Sequence, residues 1–262
     1  GGVGFKVLFF FYEIFEPMLK TSSLCILFCL HSLIGRSQVV SNINQKKVDS
    51  LLGVMLKMPD DSSKVEMFTV IGRIKENESL DSAKWYYQQG LIISKKIKFT
   101  PGVLAYYENY TYLLDVEGKN DTSLILKQEA LKIALEYGND TWIGNAYANI
   151  GNSFFNQSKF DSSLKYNQIA LPYIEKSKDI GKEILFKANI GLIYDKLKRY
   201  DKAEEYLEWS VNEARKHKEE YALMTSLNQL AIVLSAQKQY ADSEKANLEA
   251  LALAKKMNNL QY

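Results

Sequence analysis

Lys159-Phe160-Asp161-Ser162-Ser163-Leu164 returns forty residues later as Arg199-Tyr200-Asp201-Lys202-Ala203-Glu204, and forty after that as Gln239-Tyr240-Ala241-Asp242-Ser243-Glu244. The same step backwards gives Lys119-Asn120-Asp121-Thr122-Ser123-Leu124, and two steps give Ser79-Leu80-Asp81-Ser82-Ala83-Lys84. Other columns keep this register without a gap. Gly90, Ala130, Ala170, Ser210 and Ala250 form a small-residue column, followed by Leu91, Leu131, Leu171, Val211 and Leu251. Upstream, Ile71, Thr111, Gly151, Gly191 and Ala231 form a second, mostly small column, with Ile74, Leu114, Phe154, Tyr194 and Leu234 three residues on. Self-similarity at a fixed period marks stacked copies of one supersecondary unit.

Each unit reads as two amphipathic helices. Ile143, Tyr147, Ile150 and Phe154 lie at helical spacing in one, and Leu164, Ile169, Ala170 and Tyr173 in the next. Small columns allow two helix backbones to approach. The aspartates at 81, 121, 161 and 201 are expected to cap the second helices, and the aromatics Phe160, Tyr200 and Tyr240 to fold over the helix starts as staples. A lone helix is expected at Gln45–Lys57, then pairs at 63–77 with 80–97, 102–117 with 121–137, 141–156 with 160–177, 181–197 with 200–217, and 220–237 with 240–257. Pro172 predicts a kink within its helix. One pair cannot bury its apolar face alone, so the pairs must stack into a continuous core.

These columns resemble the tetratricopeptide repeat family, over roughly residues 45–262 and most specifically over 140–255. The family's small, aromatic, small and small positions are matched by Gly151, Phe154, Ser163 and Ala170, and by Gly191, Tyr194, Ala203 and Ser210. The period is 40 rather than the family's 34, so each helix is expected to be longer by nearly a turn. Met67, Tyr107, Tyr147, Lys187 and Leu227 stand where the family places a tryptophan, and the family's late proline is absent. The resemblance implies an all-α fold: a right-handed α-solenoid of about five antiparallel helix pairs, similar to the repeats of bacterial sensor and regulator proteins and of peptide-binding quorum receptors.

Composition narrows the function. Among 262 residues, 33 basic and 31 acidic side chains leave a formal charge of +2 without a block of one sign, so no basic stripe suits nucleic acid. The only histidines, His31 and His217, are far apart, and the only cysteines, Cys25 and Cys29, share one apolar stretch. No glycine-rich phosphate loop, His-Glu-x-x-His or Gly-x-Ser-x-Gly occurs. Neither catalysis, a metal site nor a cofactor is expected.

The N-terminal region has a separate character. Met18-Leu19-Lys20, the apolar stretch Leu24 to Ile34 and the small residues Gly35 and Ser37 have the order of a secretory signal, with cleavage before Gln38. The organisation expected is an uncertain leader at 1–17, a signal peptide at 18–37, an N-terminal helix and linker at 38–62, and the solenoid at 63–262. A membrane-anchored N-terminus or a buried N-terminal helix are the alternatives. The repeats are therefore expected outside the cytoplasm, exported or anchored, with a cytoplasmic location as the alternative.

The expected activity is binding. Asn109, Asn149, Asn189 and Gln229 share one column. The family's first helices line a concave groove, and the resemblance implies that amides there bond the backbone of an extended peptide; bridging between neighbouring helices is the other reading of this column. An amide both donates and accepts, so it suits both peptide groups. Asn145, Asn152, Tyr112 and Phe155 complete the candidate set, beside Asn156, Asp115, Asp195, Leu192, Asn228 and Ile232. The lysine and arginine set with which some relatives clamp a terminal carboxylate is missing. A protein or peptide ligand is expected, with self-association through terminal helices as a further contact. The alternative role is the sensory N-terminal part of a larger signal-transduction protein.

Overall fold

The computed structural model describes residues 45–55 and 57–259. The leader, the signal segment at 18–37 and residues 38–44 fall outside them. Every element among the described residues is helical. None of these helices is long and apolar enough to cross a membrane. The chain divides into two compact units, one ending at Tyr86 and the other starting at Tyr87.

In the first unit, α1 covers residues 45–55 and α2 is Ser62–Lys75. Asp61 caps α2 by accepting from the Lys64 amide at 3.0 Å, one of the four amides that a helix start leaves unpaired. At the other end of α2 the Lys75 ammonium donates to Gln45 of α1 at 2.8 Å. Val48, Met55, Val65, Phe68 and Ile71 are buried, and Phe68 meets the Tyr86 ring at 6.3 Å. Tyr86 lies on α3 (Leu80–Lys96), which continues into the second unit.

The second unit holds α4 (Thr100–Val116), α5 (Asn120–Tyr137), α6 (Asp140–Asn156), α7 (Phe160–Lys176), α8 (Ile180–Lys196), α9 (Tyr200–His217), α10 (Glu220–Ala236) and α11 (Tyr240–Asn259). From α4 onward each helix packs on the next, and the first helices of successive pairs also meet, α4 with α6 and α8 with α10. The fold is thus an α-solenoid of consecutive helix pairs. Its core reaches across repeats: Leu164, Ala170, Ile174, Phe186, Ile190, Ile193, Leu207 and Val233 from four helices share one buried cluster. A fully buried leucine or isoleucine contributes about 1.5–3 kcal/mol. The 40-residue period sets helix length: α4, α6, α7, α8 and α10 each have 17 residues, roughly 25 Å at the usual rise. α7 remains one helix through Pro172.

The small columns sit where helices touch. A Cβ added at Gly191 would lie 2.8 Å from Leu207 Cγ and 3.1 Å from the Ala203 carbonyl; at Gly151 it would lie 2.4 Å from Asn167 Nδ2. Buried serines of the second helices tie onto the column of Thr111 and Ala231. Ser123 donates to the Thr111 carbonyl at 3.0 Å, and Ser243 to the Ala231 carbonyl at 2.7 Å.

The links show a regularity finer than the repeat. Lys98, Gly118, Gly138, Ser158, Lys178, Lys198, Lys218 and Lys238 all have positive φ, between 56° and 74°, and they follow one another at twenty-residue steps. At most of these links the next amide reaches back five residues to a helix carbonyl, as Arg199 does to Tyr194 at 2.9 Å and Lys119 to Leu114 at 2.8 Å. This is the Schellman stop, which satisfies carbonyls the helix end would otherwise strand.

The aspartate caps need correction. The residues flanking α5, α7 and α9 are Lys119, Lys159 and Arg199, and none makes a side-chain cap bond. Asp121, Asp161 and Asp201 lie inside the first turn. There they favour the positive end of the helix dipole instead. In the second unit, side-chain caps stand on first helices: Asn139 accepts from Trp142, and Asp179 from Lys182. The aromatics also differ among themselves. Phe160 stacks edge-on against Phe155 at 5.4 Å, whereas Tyr240 is 65% exposed.

Candidate binding surface

Helical spacing places Glu108, Tyr112, Asp115 and Val116 on one face of α4, and Asn149, Asn152, Phe155 and Asn156 on one face of α6. Because α4 and α6 approach each other, the two faces enclose a cavity of about 370 Å³, with Lys127 of α5 also in its lining. Its walls differ in chemistry. α4 contributes two carboxylates, a tyrosine and a valine; α6 contributes three amides and a phenyl ring.

Below the opening lies a buried ionic contact. The Lys127 ammonium donates to Asp115 Oδ2 at 2.5 Å and to Ser153 Oγ at 2.7 Å, joining α5 to α4 and α6. The Lys127 side chain is 6% exposed and that of Asp115 13%. A buried cation persists only when paired in this way. Asp115 Oδ1 is sealed from solvent and has no hydrogen-bond partner. Further charge comes from α8. Burial holds the Lys182 ammonium below its ordinary range, against the pull of Glu108 and Asp179.

The expected site residues separate into four groups. Tyr112, Asn149, Asn152 and Phe155 come together in this cavity; Tyr112 and Asn152 are exposed and the other two half-buried. Asn109 is buried and donates to the Ala105 carbonyl of its own helix at 2.6 Å. Asn189 and Gln229 meet each other, Gln229 Nε2 donating to Asn189 Oδ1 at 3.4 Å. Asn145 lies one turn before Asn149 on α6, half-buried and outside the cavity lining. The amide column is therefore divided: its later members bridge neighbouring repeats, and Asn149 faces open space.

Glu108, Val116 and Lys127 were not anticipated. Lys127 carried a signal, because it shares a column with Asn167 and Leu207, both buried. A lysine at an interior position needs a partner, which points to Asp115. A second cavity, about 250 Å³, lies among α9, α10 and α11 and is lined by Glu204, Glu208, Leu227, Leu230, Arg215 and Glu249 among others. It contains none of the expected residues.

Comparison with known proteins agrees with this architecture. Residues 223–260 match the tetratricopeptide repeat family. No curated protein sequence matches the chain. Among solved structures, the chain is similar to BtubC (BKLC) from P. vanneervenii, with a TM-score of 0.65 and 18% identity over 84% of this chain and 91% of that one. It is also similar to a signal transduction ATPase with numerous domains that carries a tetratricopeptide repeat sensor, from Pyrococcus horikoshii. There the TM-score is 0.62 and the identity 19%, over 84% of this chain and 34% of that one. A third similar structure is a Rap protein complexed with Competence and Sporulation Factor, with a TM-score of 0.61 and 15% identity over 81% and 70% of the two chains. At these identities the likeness is one of fold. The fold is that of tetratricopeptide-like repeat proteins, which are typical protein-interaction modules and are generally non-catalytic.

Proposed function

We propose that the chain binds an extended protein or peptide segment across the facing surfaces of α4 and α6. The observation that carries this reading is the cavity itself, where Asn149, Asn152 and Asn156 face Tyr112 and Asp115 across about 370 Å³. Binding sites of this size suit one or two side chains and a short stretch of backbone. The asparagines can bond peptide N–H and C=O groups, while the two rings supply area with little rotamer entropy to lose. The Rap structure holding Competence and Sporulation Factor supports the reading by analogy of fold.

Selection of peptides from a random display library against the full chain tests it. Selected peptides are expected to bind at least roughly ten-fold more weakly to the Asn149→Ala/Asn152→Ala double variant, the loss of one or two net hydrogen bonds each worth about 1 kcal/mol. Circular dichroism should be unchanged, since Asn152 is exposed and Asn149 half-buried. Equal affinity for both forms would sink the groove assignment.

A second reading makes these repeats the sensory part of a larger signalling protein. It is supported by the sensor repeats of the Pyrococcus horikoshii protein, which this chain covers over 34% of that length. The downstream reading frame decides it: an output domain is expected, and a stop codon directly after Tyr262 counts against it. Export belongs to either reading, and N-terminal sequencing of secreted protein should begin at Gln38; a retained Met18 contradicts cleavage.

A further inference from the structure

We infer that the α4/α6 cavity receives the guanidinium group of an arginine in the bound segment, an inference that rests on the peptide-binding reading above. The first ground is the Asp115 carboxylate. It offers about four lone-pair sites, of which Lys127 uses one, and its other oxygen, sealed from solvent within a residue that lines the cavity, has no partner. Such an atom calls for a donor, and a modest turn about the broad terminal torsion of aspartate presents it. The second ground is the balance of charge. An incoming anion would meet Glu108 and Asp115, while Lys127, the only cation in the lining, already spends two of its protons on Asp115 and Ser153. Lys182 of α8 is close enough to feel Glu108 but does not line the cavity.

The third ground distinguishes arginine from lysine. Tyr112, 54% exposed, and Phe155 bring two aromatic rings to the cavity lining. A planar guanidinium stacks on such rings, and it is more weakly hydrated than an ammonium, so enclosing it costs less. Asp115 then accepts its N–H groups. Glu108 lies two turns earlier on α4, about 10 Å along the axis, and adds negative charge to the same wall. The α6 amides hold the backbone on the other side.

Titration of the full chain with N-acetyl-argininamide, and with the neutral isostere N-acetyl-citrullinamide, tests this by amide NMR shifts. The arginine probe is expected to move resonances of residues 112–116 and 149–156, and to saturate at a concentration roughly ten-fold or more below that of the citrulline probe, as a charge-assisted bond requires. Asp115→Asn should remove the difference. Tyr112→Ala, at an exposed position that leaves the fold intact, should weaken the arginine probe several-fold. Equal saturation by the two probes, or shifts confined to other residues, would overturn the inference. Peptides selected by display that depend on Asn149 and Asn152 but carry no arginine would also overturn it, leaving the groove reading in place. Arginine-selective shifts here, in a chain that selects no peptide at this face, would instead overturn the groove reading.

Discussion

Lys198 is held at a φ of 58°, and Lys98, Lys178, Lys218 and Lys238 occupy the same backbone region. An L residue with a Cβ meets its own carbonyl there, at about 1 kcal/mol, and glycine does not. Lys198→Gly is therefore expected to stabilise the fold by about 0.5–1 kcal/mol, read from the urea midpoint, and Gly118→Ala to lower it by a similar amount. Nothing in a lysine's chemistry reveals this conformation, which the flanking helices impose. That is why the stops were not legible, whereas glycine at 118 and 138 is at home in them. The buried pair makes an opposite prediction. Lys127→Leu strips the partner from a carboxylate that is 13% exposed, and should cost about 3 kcal/mol. Adding Asp115→Leu should restore most of that loss. A double variant as unstable as the single one would show that packing, rather than charge, is what position 127 supplies.

Small-residue columns were the most legible feature of the elements, because side-chain volume records directly how closely two helices approach. Gly191→Ala tests this. The added methyl meets Leu207, which is fully buried, and the Ala203 carbonyl, so neither can give way cheaply. Overpacking of about 1–3 kcal/mol is set against the helix preference of alanine, about 1 kcal/mol, and a net loss of about 1 kcal/mol is expected in thermal melts. Gly53, exposed on α1 with nothing within 4 Å of an added Cβ, should respond oppositely, gaining about 0.5–1 kcal/mol as alanine. The helix starts were read less well. An aspartate one residue inside a helix looks, in sequence, like one at its cap, and only backbone geometry separates the two roles. The amide column was legible as a column but not in its division between bridging and cavity-lining members. A shared register put Asn109, Asn149, Asn189 and Gln229 on equivalent faces, but burial of each depends on neighbours that vary between units. Asn109 ended inside and Asn149 at the cavity.

At the scale of the molecule, the second unit is held by nearest-neighbour packing, so its stability is close to a sum of local terms. Excising residues 159–198, which joins Ser158 directly to Arg199, should give a shorter chain with the same helicity per residue and a cooperative melt at lower temperature. α6 would then meet α9, with Gly151 in the place Gly191 now holds against Leu207. Removing only 159–178 should instead abolish cooperative melting, because a first helix would meet another first helix and the wrong faces would be apposed. The left-handed stop that recurs at every twenty-residue step has a consequence for heredity. Since the links from 98 to 238 share this left-handed turn, unequal recombination between units of the second half, in multiples of forty codons, preserves the reading frame, the facing surfaces and the turns at once. A gene built this way can lengthen or shorten its product in a single event, and the altered offspring inherits a chain that still folds.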